Sequence, residues 1–225
     1  MEAPLHGMVD QFSEASFRAR AEGGLHHAPS EAIFDPRTGQ AFGPSDFDLN
    51  PELKGDLAVM APPRPAAVLV PIVLRDELTV LLTQRPEDMP SHPGQISFPG
   101  GKVEESDASP LACALREAHE EIGLAAEFIE PLGYLDSYRT GSGFQISPVV
   151  GFVRQGFTLV LDRREVTEVF EVPLAFLMDE ANHQRASRPW RGRERYFYAM
   201  PYQGRYIWGA TAGMLKNMQQ RLFAR

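Results

Sequence analysis

The hydrophobic residues of this chain occur in short runs whose spacing changes along the sequence. Two runs rich in leucine and β-branched residues, 66–74 and 78–84, are joined by three charged residues, which predicts a hairpin of buried strands. Later runs predict strands at 128–139, 146–154, 195–200 and 205–208, a short helix at 174–178 and a closing helix at about 210–223. This order favours an α/β fold in which helices cover a mixed sheet.

The best-defined predicted helix begins after Ser109, a good N-cap, with Pro110 at its first position, and it ends at Gly123. Its apolar residues recur every three or four positions and form one buried stripe: Leu111, Leu115, Ala118 and Ile122. Cys113 lies on the other side, one turn before Glu117, and we interpret it as a small, partly buried filler rather than a catalytic thiol.

Three glutamates of this helix, Glu117, Glu120 and Glu121, lie on one side of it. Like charges three or four residues apart cost about 0.2–0.5 kcal/mol per pair, so helix stability does not favour the arrangement. Mg²⁺ or Mn²⁺ would favour it, because hard divalent cations take oxygen ligands and remove the repulsion. Arg116 lies four residues before Glu120, and we expect an ion pair that orients this carboxylate. The competing interpretation is an ordinary solvated acidic face.

A pair of glycines precedes the helix, in Phe98-Pro99-Gly100-Gly101-Lys102. Paired glycines allow a backbone path closed to other residues, one that can bring a bare carbonyl group close to the acidic face. A loop carbonyl and helix carboxylates together form the all-oxygen site that Mg²⁺ prefers. Taken alone, these glycines would indicate no more than a turn.

The segment from Gly101 to Leu124 resembles the Nudix box of nucleoside-diphosphate-X hydrolases. A glycine is followed after five residues by an acid, Asp107, and then by Arg-Glu-aliphatic-x-Glu-Glu-x-Gly-aliphatic starting at Arg116. The chain departs from this box in having aspartate rather than glutamate at 107, eight residues instead of seven before Arg116, and the small Ala118. The role of Asp107 is therefore open.

The resemblance implies a Nudix-type α/β/α sandwich with a mixed β-sheet, and a site that binds Mg²⁺ or Mn²⁺. The implied metal ligands are Glu117 and Glu121, then Glu120 and the backbone carbonyl of Gly101. Glu120 and Arg116 are also expected to take part in catalysis.

Nudix enzymes often supply the general base from a later loop, where Glu165, Glu168 and Glu171 lie. We choose Glu165, because the Asp162-Arg163-Arg164 segment before it is typical of an exposed loop. Plain surface charge is the alternative for each of the three.

A second stretch resembles the signature of the coenzyme A pyrophosphatases within this superfamily: Leu81-Leu82-Thr83-Gln84-Arg85, then Gly94, then Phe98-Pro99-Gly100-Gly101. Pro86 and Pro90 depart from it. The implied reaction cleaves coenzyme A or its derivatives into 4′-phosphopantetheine and adenosine 3′,5′-bisphosphate. We expect Arg85 and Arg139 to contact the substrate, whereas Trp208 is expected to be core rather than a base-stacking surface.

Two alternatives stay open. The first is the same chemistry on ADP-ribose or another nucleoside diphosphate derivative. The second is a non-catalytic nucleotide sensor on the same fold, whose mark would be the loss of box glutamates, and Glu117, Glu120 and Glu121 are all present.

Composition argues against nucleic acid and membranes as partners and leaves small molecules as the expected ones. A net charge of −8 and a pI near 5.3 argue against a nucleic-acid binder. The longest apolar run, 66–74, is too short to span a bilayer. The single cysteine allows no intramolecular disulfide, and with no basic residue before Arg18 we expect neither a signal nor a transit peptide. We therefore expect a cytoplasmic enzyme. A homodimer is left open.

Residues 1–60 are expected to form an extension with a short amphipathic helix at 9–21 and a polar, turn-rich segment. The proline-rich stretch at 62–65 marks the boundary, and residues 61–225 form the Nudix domain. We expect this domain to fold without the extension, unless the extension pairs subunits or covers the pocket.

Overall fold

The computed structural model describes residues 11–29, 34–35, 40–41, 43–53, 62–89, 92–190 and 192–224. Its α-helices are α1 (Glu14–Gly24), α2 (Pro110–Ile122), α3 (Leu174–Met178) and α4 (Ala210–Leu222). Its strands are β1 (Phe34–Asp35), β2 (Gln40–Ala41), β3 (Arg64–Val73), β4 (Thr79–Gln84), β5 (Ile96–Ser97), β6 (Gly100–Lys102), β7 (Ile129–Tyr134), β8 (Tyr138–Arg139), β9 (Phe144–Val153), β10 (Glu168–Pro173), β11 (Gln184–Trp190), β12 (Arg193–Tyr202) and β13 (Arg205–Trp208). Within the described ranges, no helix is long and apolar enough to cross a membrane. The expected helix start at residue 9 and the departure at Pro90 lie outside these ranges.

An eight-stranded mixed sheet forms the centre of the molecule, with its main strands in the order β10-β4-β3-β9-β7. β3 runs parallel to β9 from Arg64↔Phe144 to Val73↔Val153, and antiparallel to β4. The β3–β4 pair is the predicted hairpin. Of the short strands, β5 pairs with β4, β6 with β3 and β8 with β9. The mixed sheet expected from the sequence is confirmed.

Both faces of this sheet are buried, which explains the continuous apolar run of β3. Val70 and Ile72 face one core that also contains residues of α1 and α4, whereas Leu69 and Val73 face a second core against α2. Successive side chains of a strand point to opposite faces, so one apolar strand supplies both cores. The result is the expected α/β/α sandwich.

A separate three-stranded antiparallel sheet follows, in the order β11-β12-β13. The sequence predicted part of β12 and all of β13, but missed β11 and also β10. β11 is polar, with the sequence QRASRPW, so it has no apolar alternation from which a strand could be predicted. Pairing along the whole of β11 with β12 makes it a strand.

Helix α1 is part of the main core, although it precedes the predicted domain boundary. Phe17 is fully buried, and its ring lies 5.5 Å from that of Phe152 and 6.2 Å from that of Phe223. Just after the helix, the N–H of His26 donates to the carbonyl of Tyr134 at 2.9 Å. This packing argues against the expectation that residues 61–225 fold without the preceding segment.

We predict that Phe17→Ala lowers the free energy of unfolding by about 3–5 kcal/mol, because it empties a fully enclosed position. Urea denaturation followed by circular dichroism measures the change. Glu22→Ala, on an exposed position of the same helix, is the matched control and should shift stability by less than about 0.5 kcal/mol. Equal stability of the two variants would show that α1 does not contribute to the stability of the core.

Candidate active site

A cavity of about 680 Å³ opens between helix α2 and the three-stranded sheet. One wall contains the glutamates of α2 and the glycine loop before it. The other wall contains side chains of β11, β12 and β13 and the start of α4, and residues 45–49 contribute at the rim. This volume lies in the range typical of small-molecule sites, about 300–1,000 Å³.

Helix α2 is held at both ends as the sequence predicts. Ser109 Oγ accepts a hydrogen bond from the N–H of Ala112 at 3.1 Å, and Pro110 is the first helical residue. Gly123 ends the helix in the left-handed region, with φ of 70°. The glutamates between these caps therefore have a fixed position along the cavity.

The three box glutamates differ in their exposure to solvent. Glu121 is buried and accepts a hydrogen bond from the N–H of Gly100 at 3.2 Å, whereas the side chain of Glu120 is 57% exposed. Burial raises the pKa of Glu121 to about 8, and the nearby charges of Glu117 and Glu165 act in the same direction. Burial also raises the pKa of Glu117. Burial thus disfavours the charged forms of the two inner glutamates, and a bound cation would favour them.

Arg116 holds the acidic face together. Its guanidinium donates to Asp107 at 3.0 and 2.9 Å, to Glu117 at 3.0 Å and to Glu120 at 3.0 Å. The expected Arg116–Glu120 pair is present. Asp107 is almost fully buried, and the hydrogen bonds from Arg116 lower its pKa to about 2. The upstream acid of the box therefore anchors the arginine.

Gly101 lies against the carboxylate of Glu117. A Cβ atom at position 101 would collide with both oxygens of that carboxylate, so only glycine allows this approach. At Gly100, whose φ is +157°, a Cβ would collide with the backbone of β3. The two glycines thus bring a bare loop backbone against the acidic helix.

The donors in this region suit a hard divalent cation. Glu117, Glu120, Glu121 and the Gly101 carbonyl offer oxygen atoms only, as Mg²⁺ and Mn²⁺ prefer. In the described part of the chain, no three His, Cys, Asp or Glu side chains already converge on one metal position. Arg116 instead neutralises two of the glutamates. The set fits a cation by its chemistry, and the Gly101 carbonyl in this arrangement lies 3.8 Å from the thiol of Cys113.

Cys113 lies one turn before Glu117 and is fully buried. Its thiol donates to the carbonyl of Lys102 at 3.3 Å. Burial raises the pKa of this thiol to about 12, with the charges of Asp107 and Glu117 adding to the effect. It packs in the second core as a small group, so it fills space as expected but is fully rather than partly buried.

Of the three candidate bases, Glu165 is the one that lines the cavity. It is exposed and lies close enough to Glu117 and Glu121 to raise their pKa values. Glu168 forms an ion pair with Arg205, and Glu171 pairs with Arg75 at 2.7 Å. Both alternatives therefore have a structural role elsewhere.

The two arginines expected to contact the substrate lie in different places. Arg85 lines the cavity, and its buried Nε has no hydrogen-bond partner. Arg139 is 1% exposed and does not line the cavity, and burial lowers its pKa. Because its side chain does not reach the cavity surface, Arg139 has no direct substrate contact in this arrangement.

Sequence reasoning missed the second wall of the cavity. Arg188 and Arg195 line it, and Arg195 pairs with Asp46 at 2.9 Å. Trp208, expected to be core, is only partly buried there, with its ring 5.0 Å from that of Phe197. The signal was visible as arginines interleaved with aromatic residues between 185 and 198, but without strand register it did not show which of them share a face.

The NUDIX domain model matches residues 63–195. This chain belongs to the Nudix family. A relative from Enterobacter sp. (strain 638) is 39% identical over 155 residues, covering 69% of this chain and 81% of the relative. One from Klebsiella pneumoniae (strain 342) is 39% identical over 162 residues, covering 72% and 84%. Both carry the name Uncharacterized Nudix hydrolase NudL. Nudix hydrolases act on small nucleotide derivatives and typically use Mg²⁺ or Mn²⁺.

Solved structures of the family are more distant. The Caenorhabditis elegans Ap4A hydrolase binary complex is 20% identical with a TM-score of 0.43, covering 48% of this chain and 80% of that one. The NUDIX domain of Shewanella oneidensis NrtR, complexed with ADP ribose, is 24% identical with a TM-score of 0.40, covering 56% and 84%. Likenesses at this distance carry no information on the substrate of this Nudix protein.

We predict that Asp107→Asn lowers kcat of this Nudix hydrolase by about 10–100-fold, because a weakened anchor lets Arg116 and its glutamates shift. Steady-state assays over a Mg²⁺ titration measure the loss. Glu105→Gln, an exposed acid two residues earlier, is the control and should keep the wild-type rate. An unchanged rate in Asp107→Asn would remove the anchoring role.

Proposed function

We propose that this Nudix hydrolase cleaves the pyrophosphate bond of coenzyme A or its derivatives, releasing 4′-phosphopantetheine and adenosine 3′,5′-bisphosphate. One observation carries the proposal. Arg85 and Phe98–Gly101 carry the resemblance to the coenzyme A pyrophosphatases, and Arg85, Phe98, Gly100 and Gly101 line the same cavity as the glutamates of α2. A substrate bound in this cavity would therefore contact both the substrate signature and the acidic helix.

The proposed ligands of Mg²⁺ or Mn²⁺ are Glu117, Glu120, Glu121 and the carbonyl of Gly101. When bound, a divalent cation supplies charge neutralisation at the pyrophosphate and activation of water. Arg116 keeps Glu117 and Glu120 oriented and offsets part of their repulsion. Its own position is fixed by Asp107, so the carboxylates are arranged before substrate arrives.

Glu165 is the proposed acceptor of the proton of the attacking water. It lies on the cavity wall near the inner glutamates. Glu168 is engaged in an ion pair with Arg205, whereas Glu165 forms no ion pair with any described residue. Arg85 offers N–H groups in a planar fork that matches two phosphate oxygens. The leaving phosphate is thereby held while the proton is removed at Glu165.

We predict that Glu165→Gln lowers kcat at least tenfold with little change in KM, because a general base contributes about 10²–10⁴-fold to the rate and does little for binding. Steady-state kinetics at saturating Mg²⁺ measures both parameters. Glu168→Gln is the control, since its carboxylate pairs with Arg205 and does not line the cavity. A loss of kcat in Glu168→Gln alone would show that Glu168, and not Glu165, is the general base.

Product analysis tests the substrate. The protein is incubated with Mg²⁺ or Mn²⁺ and with coenzyme A, ADP-ribose or a diadenosine polyphosphate, and the products are separated and identified by mass. We predict that 4′-phosphopantetheine and adenosine 3′,5′-bisphosphate from coenzyme A form fastest. Faster cleavage of ADP-ribose would overturn the substrate assignment.

We predict that Glu121→Gln removes most turnover without unfolding the protein. Near-wild-type rates in Glu121→Gln would overturn the metal assignment.

A further inference from the structure

Two arginines lie side by side on the wall of the cavity opposite the acidic helix. Arg188 of β11 and Arg195 of β12 are directly paired in the strand register, and both line the cavity. Residues paired in this way project from the same face with Cβ atoms about 4.5–5.5 Å apart, and like charges there destabilise the sheet. The sheet thus places two guanidinium groups next to each other on the face that lines the cavity.

The two guanidinium groups are held in different ways. Arg195 donates to Asp46 at 2.9 Å, and Asp46 also accepts from the hydroxyl of Tyr138 at 3.0 Å and from the N–H of Gly141 at 2.8 Å. Arg188 has no hydrogen bond or ion pair with any residue that the structure describes. Its side chain is exposed, and its guanidinium lies 4.6 Å from the centre of the Trp208 ring.

Aromatic rings complete this wall. Phe197 and Trp208 line the cavity beside the arginines, with ring centres 5.0 Å apart. The strand that carries Phe197 is fixed by Asn50, whose amide donates to the carbonyl of Tyr196 at 2.9 Å and accepts from its N–H at 2.7 Å. The wall therefore offers a rigid aromatic surface to a nucleobase.

The pyrophosphate does not account for Arg188. Among the described residues lining the cavity, the cations with no carboxylate partner are Arg85, Lys102 and Arg188. Arg85 acts on the charge of Glu121, and Lys102 directly follows Gly101, so these two belong to the wall of the acidic helix. Arg188 lies on the wall formed by β11 and β12, where its charge is available to a second negative group of the substrate.

We propose that Arg188 and Arg195, with Trp208 and Phe197, form a subsite for a nucleoside that carries a phosphate monoester in addition to its pyrophosphate. The aromatic rings contact the base, and the monoester, with a charge of about −1.5 to −2, binds Arg188 next to the Asp46-paired Arg195. This inference rests on the proposed function and deepens it, because the 3′-phosphate of coenzyme A is such a group. The subsite separates coenzyme A from substrates that lack this phosphate.

Calorimetric binding of adenosine 3′,5′-bisphosphate and of 5′-AMP tests the subsite without turnover. The wild type should bind the bisphosphate at least about 10-fold more tightly, as a charge-assisted contact implies. Arg188→Gln should abolish this preference and leave the affinity for 5′-AMP unchanged. Arg185→Gln is the matched control, since Arg185 of the same strand stacks on Tyr196 and does not line the cavity. No preference in the wild type, or the same preference in Arg188→Gln, overturns the subsite.

The kcat/KM values for coenzyme A and 3′-dephospho-coenzyme A separate this inference from the proposed function. Arg188→Gln should lower the value for coenzyme A about 10-fold and leave that for 3′-dephospho-coenzyme A within twofold. Equal effects on both substrates, with coenzyme A still cleaved, would remove the subsite and keep the function. If neither is cleaved while the binding preference disappears in Arg188→Gln alone, the subsite stands and the proposed function fails.

Discussion

The acidic face of helix α2 depends on one arginine. Three glutamates within five residues repel one another, and two of them are largely shielded from water, where unpaired charge is most costly. Arg116 contacts two of these glutamates and is itself fixed by the buried Asp107. The repulsion is reduced enough for the helix to fold, and enough negative charge is left to attract cations. The caps of α2, the glycine loop and the sheet beneath it all serve to hold this helix in place.

Features set by local chemistry could be predicted from the sequence. The caps at Ser109 and Gly123 depend on neighbours within one turn, so spacing alone located them. Of the predicted stripe, Ala118 and Ile122 are buried, but Leu111 and Leu115 are only partly buried. The central sheet followed from apolar runs. The place of α1 could not be predicted, because Phe17 finds its partners only when strands and helices from the rest of the chain assemble around it.

In the candidate site, too, residues placed by local structure could be predicted, whereas residues placed by tertiary contacts could not. The box glutamates were located because a helix repeats regularly, and Glu165 was chosen among three acids from its loop. Arg139 and Arg195 could not be distinguished in this way, since the direction of a strand side chain depends on register and on which face is covered. The structure encloses Arg139 and aims Arg195 at the cavity, where Asp46 from a polar, turn-rich segment holds it. The wall that contains Arg195 thus depends on contacts between residues far apart in the sequence, which spacing alone does not reveal.

Burial of Cys113 has a practical consequence for experiments on this protein. The only thiol of the chain is enclosed beneath the glycine loop and stays protonated at neutral pH, so alkylating reagents have no ready target in the native fold. A single cysteine introduced at an exposed position would then be the one site to react with a fluorophore or spin label. Two such cysteines, one on each wall, would report distances across the cavity as substrate binds, with the native Cys113 of α2 left in place.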